Sequence, residues 1–373
     1  MADTLKARWI AWRNARIMDP AFQRLAWRVP GLRWIARRRA AALFDLVAGF
    51  TYSQWLAAAV RLGVFPVLAE RPLDPAGLAE ALGEPEEAMR LLLRAMAVLD
   101  LAEPLGDGRY ALGQVGASIV RNAGVQAMVR HHADLWPDLA DPVALLRQGG
   151  GGRLSGFWPY AEGRGGESAP YSALMAVSQP MVAETVLDAL DLSGQRVLLD
   201  IGGGSGAFLA AAVARWPHLQ AWLFDLPDVV PLAAERLGDS ARLFPGRFPH
   251  DALPTGADTV TLIRILHDHP DSTVAALLAG IRQAIAPGGL LIIAEPMAGA
   301  RHSPRVGDAY FGFYLQAMGS GRARTAAEIS AMLEAAGFGQ VRQLPTANPF
   351  AAQMVTARAP ADSRLPGQPV NQD

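Results

Sequence analysis

Val197-Leu-Leu-Asp-Ile-Gly-Gly-Gly-Ser-Gly-Ala207 is the stretch that decides the fold. An apolar run of strand length carries the acid Asp200, and glycines follow at 202, 203, 204 and 206. Phe208-Leu-Ala-Ala-Ala-Val-Ala-Arg215 then reads as a helix of strong formers. Strand, glycine turn and helix make the first crossover of an open α/β sheet, where ligands sit beyond the strand's carboxyl end. Glycine lets the chain turn tightly there and lets a ligand approach where a Cβ would clash.

Alone, the turn fits two cofactor classes. Gly202, Gly204 and Ala207 satisfy the dinucleotide pattern G-x-G-x-x-G/A. Gly202, Gly204 and Gly206 after Asp200 equally satisfy the G-x-G-x-G loop of S-adenosylmethionine enzymes. Beyond the turn the alternation continues: a strand at Gln220–Asp225, a helix at Pro231–Leu237, a strand at Ala257–Leu266, a helix at Ser272–Ile285 and a strand at Gly289–Glu295. An aromatic helix at Asp308–Met318, a helix at Thr325–Ala336 and two closing strands follow, the last near Gln353–Ala357. Asp225 ends the second strand, where a carboxylate can accept both hydroxyls of a ribose, and both cofactor classes carry one.

Upstream the pattern is helical. Residues 41–70 read as a helix or helix pair with Gly63 as the stop, and Asp74-Pro75 caps a short helix to Leu82. Met89, Leu92, Leu93, Met96 and Leu99 stripe a longer one, and two short strands flank Gly106-Asp107-Gly108. Helix, helix, hairpin is the order of a winged helix, which raises a DNA-binding regulator as a rival class. Glu84, Glu86 and Glu87 at the start of its recognition helix would repel phosphates, so the module reads as a dimerisation element that binds no nucleic acid. Residues 113–146 read as helical. Gly149–Gly152 and Gly163–Gly166 flank Phe157-Trp158-Pro159-Tyr160, a loop that serves either as lid or as linker, and a helix from Tyr171 to Leu190 leads into the glycine turn.

With 373 residues, 51% of them apolar and 18% charged, the chain has the composition of a soluble globular protein of about two domains. The absence of cysteine excludes disulfides and thiolate chemistry and is compatible with a reducing cytosol, and the start lacks the layout of a signal peptide. Charge is uneven. Residues 1–40 hold ten Lys/Arg against Asp3 and Asp19, giving +8, so with −1 overall the remainder carries −9. Trp9, Trp12, Trp27 and Trp34 sit among these cations. Such an arm suits either an anionic membrane surface or packing on a partner subunit, and both readings stay open. The expected organisation is a basic helical arm at 1–40, a winged-helix domain at 41–115, a helical linker and pocket segment at 116–190, a catalytic domain at 191–358 and a disordered tail at 359–373. The expected location is the cytoplasm, peripheral on the inner membrane if the arm binds lipid.

Taken together, Leu-Asp-Ile-Gly-Gly-Gly-Ser-Gly, Phe-Asp-Leu-Pro, Ile-Leu-His-Asp-His, Ala-Pro-Gly-Gly and Arg-Thr-Ala-Ala-Glu-Ile resemble the small-molecule O-methyltransferases that join a dimerising winged helix to a class I S-adenosylmethionine domain. The resemblance spans about residues 42–358. The basic start, Ala42-Leu-Phe-Asp-Leu-Val-Ala-Gly-Phe-Thr-Tyr-Ser and Asp308-Ala-Tyr-Phe-Gly-Phe-Tyr-Leu-Gln-Ala-Met-Gly narrow it to the carotenoid 1-hydroxy methyltransferases of phototrophic bacteria. It implies a Rossmann-like mixed seven-stranded sheet, a homodimer and S-adenosylmethionine bound by Asp200, Gly202, Gly204, Gly206, Asp225, Leu226, Phe248 and Arg264. It also implies methyl transfer to the tertiary 1-hydroxyl of an acyclic carotenoid.

His267 is the candidate base, expected at the end of the strand that closes with Leu266, and Glu295 is its candidate orienter. The family's plant members flank the base with a further glutamate, where Ala323 stands here, and the usual adenine-contacting acid is replaced in Gly246-Arg247-Phe248. Met175, Phe157, Trp158, Tyr310, Phe311, Tyr314 and Met318 are assigned to an apolar substrate cleft, with core packing as the alternative. His267-Asp268-His269 could share a face on a continuing strand, but no third ligand follows at suitable spacing, so no metal is expected. A bacteriochlorophyll precursor or polyketide methyltransferase is the rival within the fold; an NAD-dependent oxidoreductase is the rival outside it.

Overall fold

The computed structural model describes residues 2–148, 152–157 and 169–361, and it divides into two compact units that meet at Arg121/Asn122. The first unit is helical. α1 (Ala2–Met18) and α2 (Pro20–Arg28), the latter capped by Asp19, precede the long α3 (Pro30–Leu62), which ends at Gly63 in the left-handed region. The boundary expected at 40/41 therefore falls inside one continuous helix. α4 (Val64–Glu70), α5 (Pro75–Leu82) with Asp74 as its cap, and α6 (Glu86–Val98) lead to the hairpin of β1 (Ala102–Pro104) and β2 (Tyr110–Leu112), completing the winged-helix order. α7 (Gln114–Val120) closes the unit and runs through the boundary expected at 115/116.

The second unit starts with α8 (Ala123–Leu139), α9 (Pro142–Gln148) and α10 (Ala169–Leu187). Its sheet has seven strands: β3 (Val197–Ile201), β4 (Gln220–Asp225), β5 (Ala241–Pro245), β6 (Thr259–Ile263), β7 (Leu290–Glu295), β8 (Gly339–Leu344) and β9 (Gln353–Arg358), in the order β5-β4-β3-β6-β7-β9-β8. β5 through β7 run parallel; β9 is antiparallel to both of its neighbours. The order reverses beside β3, the switch point at which open sheets leave a ligand crevice.

Both faces of this sheet are covered, which explains its continuous apolar strands. Leu199, Val260, Leu262 and Leu291 pack one way, against α13 (Asp271–Ala284) and α15 (Ala326–Ala335). Leu198, Leu223 and Ile292 pack the other way, with α10, α11 (Ala207–Arg215) and α12 (Val230–Leu237). The mixed seven-stranded sheet expected from the sequence is present. Residues 359 and 360 are tied to the turn at 288–289 by backbone hydrogen bonds, and the rest of the tail expected at 359–373, from 362 on, lies outside the described residues.

β6 is shorter than its sequence pattern. It ends at Ile263 because Arg264 adopts φ 59°, which no strand can continue. Leu266–Asp268 then forms a 3-10 turn, so His267 sits on that turn and not at a strand end. His267 and His269 consequently do not alternate along a strand.

Candidate active site

The carboxyl ends of β3, β4 and β6 surround a cavity of about 370 Å³. Its wall includes Gly202, Gly204, Asp225, Leu226, Phe248, Arg264 and Met175, all assigned to ligand contact from the sequence. Gly202 and Gly204 have φ of 71° and 58°; a Cβ on Gly202 would lie 2.4 Å from Ile265 Cδ1, whereas the space beside Gly204 is open. Gly206 caps α11 and Asp200 lies beneath the turn, so neither reaches the wall.

Two carboxyls underlie the glycine turn, Asp200 buried and Asp225 half-buried at the cavity wall. Asp225 Oδ2 accepts from Gly204 N–H and Oδ1 from Leu226 N–H, both at 2.7 Å. A carboxylate has about four acceptor sites, so each oxygen keeps one for a ligand hydroxyl. Burial raises this carboxyl to about 6 despite the two backbone donors. Asp200 Oδ1 accepts from Thr261 Oγ1 at 2.7 Å, while Oδ2 is buried without a partner. Burial raises it to about 7, offset in part by Thr261. A cationic ligand in this crevice would favour the charged form of both acids.

Arg264 lines the cavity, but its guanidinium is committed to α10: Nη1 donates to Ser178 Oγ at 2.8 Å, and Nη2 to Met175 O at 3.1 Å and Gln179 Oε1 at 2.5 Å. It fastens the helix that carries Met175 to the end of β6.

His267 is 3% exposed and lies one layer behind the cavity, whose wall holds Asp268 and His269 instead. Its Nε2 is 3.2 Å from Asp268 Oδ1, its backbone N–H donates to Glu295 Oε2 at 3.1 Å, and its Nδ1 is buried without a partner. Burial pushes the imidazole pKa down, but the charges of Asp268 and Glu295 outweigh it, and the net shift is upward. Glu295, fully buried at the end of β7, is raised by burial. Its carboxylate orients the backbone of the histidine turn and does not bond the imidazole. The turn is bracketed by Arg324, fully buried, which donates to Leu266 O at 2.5 Å and His269 O at 2.8 Å while pairing with Asp271.

The imidazole stacks on Phe311, with ring centroids 5.5 Å apart and planes at 24°. A π-helical turn (Arg305–Tyr310) feeds α14 (Phe311–Met318), and such turns are frequent at functional sites. Tyr314 and Met318 pack with Leu135, Leu145 and Leu154, and Tyr310 and Phe311 lie against that cluster, so these four close a packed aromatic wall and do not line the cavity. Their packing follows from α8, where His131 and His132 reach the hydroxyls of Tyr314 and Tyr310 at 3.0 and 2.8 Å. Trp158 and the side chain of Phe157 fall outside the described residues.

Asp268, Arg324, His131 and His132 were not assigned to the site from sequence. The acid directly after the candidate base was a legible signal; the contact between 131–132 and 310–314, separated by some 180 residues, was not.

The O-methyltransferase domain of known families matches residues 136–339, and an O-methyltransferase dimerisation domain matches residues 44–122. The chain belongs to the O-methyltransferase family. This O-methyltransferase is 44% identical to demethylspheroidene O-methyltransferase of Cereibacter sphaeroides over 92% of its own length and 93% of the relative's, and 43% identical to the Rhodobacter capsulatus enzyme of that name over 88% and 85%. Human N-acetylserotonin methyltransferase, solved in complex with SAM, superposes with TM-score 0.73 at 26% identity, covering 86% of this chain and 98% of that one. Mitomycin 7-O-methyltransferase gives 0.71 at 28%, covering 87% and 99%. Among the described residues, no helix is long and apolar enough to cross a membrane.

Proposed function

We propose that this O-methyltransferase uses S-adenosylmethionine to methylate the tertiary 1-hydroxyl of acyclic carotenoids, working as a homodimer through residues 44–122. One observation carries the substrate class: identity to two demethylspheroidene O-methyltransferases is 44% and 43%, against 32% for a relative named for a hydroxynaphthoate.

The crevice fits the cofactor. The open space beside Gly204 and the spare acceptor sites of Asp225 suit an adenosyl group, and the unpartnered Asp200 Oδ2 beneath the turn suits the sulfonium charge attached to it. Gly202, Gly204, Asp225, Leu226 and Phe248 would hold it, Asp225 accepting from its ribose. When bound, the cofactor supplies an electrophilic methyl group for in-line displacement by the alcohol oxygen.

The protein's remaining task is to place that oxygen and remove its proton. Because Nε2 faces Asp268, Nδ1 is the ring nitrogen left to accept it, and Asp268 stabilises the imidazolium that forms. A tertiary alcohol is too weak an acid to ionise beforehand, so proton loss accompanies methyl transfer. Positioning reacting atoms about 3–3.5 Å apart contributes roughly 7–11 kcal/mol, and a placed base about 10²–10⁴-fold. Phe311 stacks on the imidazole with Tyr310 beside it, and these two half-buried rings are the apolar surface a polyene would meet outside the cavity. A second reading rests on Asp268 lining the cavity while His267 does not: the carboxylate receives the hydroxyl, and the imidazole serves as its charge partner.

A carotenoid resides in a bilayer, and we read residues 1–40 as the segment that meets that bilayer. Incubation with methyl-labelled S-adenosylmethionine and a 1-hydroxy acyclic carotenoid should yield a labelled 1-methoxy product. Label that enters only a bacteriochlorophyll precursor or polyketide would overturn the assignment.

A further inference from the structure

The matched family domains begin at residue 44, so α1, α2 and the first part of α3 are additional to the domains named for methyl transfer and dimerisation. Within them one arrangement recurs. Trp9, Trp12 and Trp34 are each followed four residues later by an arginine, which on a helix is one turn further along the same face. In all three cases the guanidinium lies over the indole: Arg13 over Trp9 at 5.0 Å, Arg16 over Trp12 at 6.0 Å and Arg38 over Trp34 at 5.7 Å. The indoles are 56%, 60% and 63% exposed, so these are surface groups and not core.

On α1, Leu5, Trp9, Trp12 and Arg16 follow spacings of four, three and four, which places them on one face. Leu5 is likewise exposed, as is Trp27 on α2 beside Arg24 and Arg28. An exposed indole carrying a stacked cation matches the interface of a bilayer in two ways. Its ring has the amphipathic character enriched at headgroup depth, and its guanidinium can bond phosphate bidentately. The charge of the arm, +8 over residues 1–40, adds attraction toward an anionic lipid surface.

We infer that the three Trp-x-x-x-Arg steps are phospholipid headgroup sites that hold the enzyme on an anionic bilayer by interfacial contact. The inference deepens the membrane reading of residues 1–40 and is independent of which alcohol is methylated. With about 1 kcal/mol per cation at such a surface, each arginine accounts for about a fivefold change in partitioning.

The test is flotation of the full-length enzyme with vesicles of equimolar phosphatidylglycerol and phosphatidylcholine, and with vesicles of phosphatidylcholine alone. The wild type should float with the anionic vesicles only, and should be released at about 0.5 M salt, where the Debye length is roughly 4 Å. R13A/R16A/R38A should partition about 10²-fold less and W9A/W12A/W34A should also lose flotation, while both keep the wild-type circular dichroism spectrum, dimer mass and turnover of detergent-dispersed carotenoid. Flotation that ignores lipid charge, or that survives both triple substitutions, would overturn the inference. So would a wild type that fails to float while the triple variants lose the dimer, since the arm would then belong to the partner subunit. The turnover assay keeps the substrate assignment separate: it can fail with flotation intact, and the reverse.

Discussion

The two halves of the candidate active site differ in how they are built. The half proposed for the cofactor is centred on one stretch: β3, its glycine turn and the acid at the end of β4 form one side of an open cavity and are joined by backbone hydrogen bonds to Asp225. The half proposed for the substrate is assembled from distant segments, with the 266–268 turn, α8 and α14 meeting in a packed aromatic wall. On the proposed function, the cofactor would meet a preformed crevice, and the alcohol would meet a set of interlocking side chains.

Removing the imidazole should have the largest effect. His267→Ala is expected to keep cofactor affinity, measured by calorimetry, and to lose at least about 10²-fold in turnover. Near-normal turnover, with Asp268→Asn the damaging change instead, would transfer the proton-accepting role to the cavity wall. Asp225→Ala attacks the other half. Losing a charged acceptor should weaken S-adenosylmethionine by about 1.5–3 kcal/mol, roughly 10–10²-fold, with little change in turnover at saturation.

The pH response separates the halves again. Asp200 at about 7 and Asp225 at about 6 must ionise to meet a cationic ligand, so cofactor affinity should rise from pH 5 to 8. The sign is opposite for unliganded stability. Both carboxyls are raised above their ordinary value of 3.8, so the folded chain holds extra protons, and stability falls as pH rises from about 4 to 7. Asp200→Asn should flatten both trends in thermal shift and calorimetry. Turnover follows the other half: a neutral imidazole is required, so it should rise with an apparent pKa above 6.5. Smallest is Tyr310→Phe, which removes one hydrogen bond to His132 and should lower stability by about 1 kcal/mol in denaturant unfolding.

The same contrast explains what could be read from the chain. Strand-turn-helix at 197–215 and Asp225 follow from local propensity and glycine conformation, and the structure places them where the pattern points. The end of β6 is hidden in the sequence because residues of strand character stand on both sides of Arg264, Thr259-Val-Thr-Leu-Ile263 before it and Ile265-Leu266 after it, and nothing in the run announces that Arg264 takes a left-handed conformation. That single dihedral moves His267 from a strand end to a buried turn. The aromatic residues of 310–318 fit a substrate wall or a core equally well by composition, and only the partners from α8 decide how they pack.

A crystal structure with S-adenosylhomocysteine tests the central claim most directly. The account predicts its adenosyl group in the cavity beside Gly204, with both ribose hydroxyls within hydrogen-bond distance of the Asp225 carboxylate. A ribose bound away from Asp225, or a cavity left without the ligand while it sits elsewhere on the chain, would contradict it.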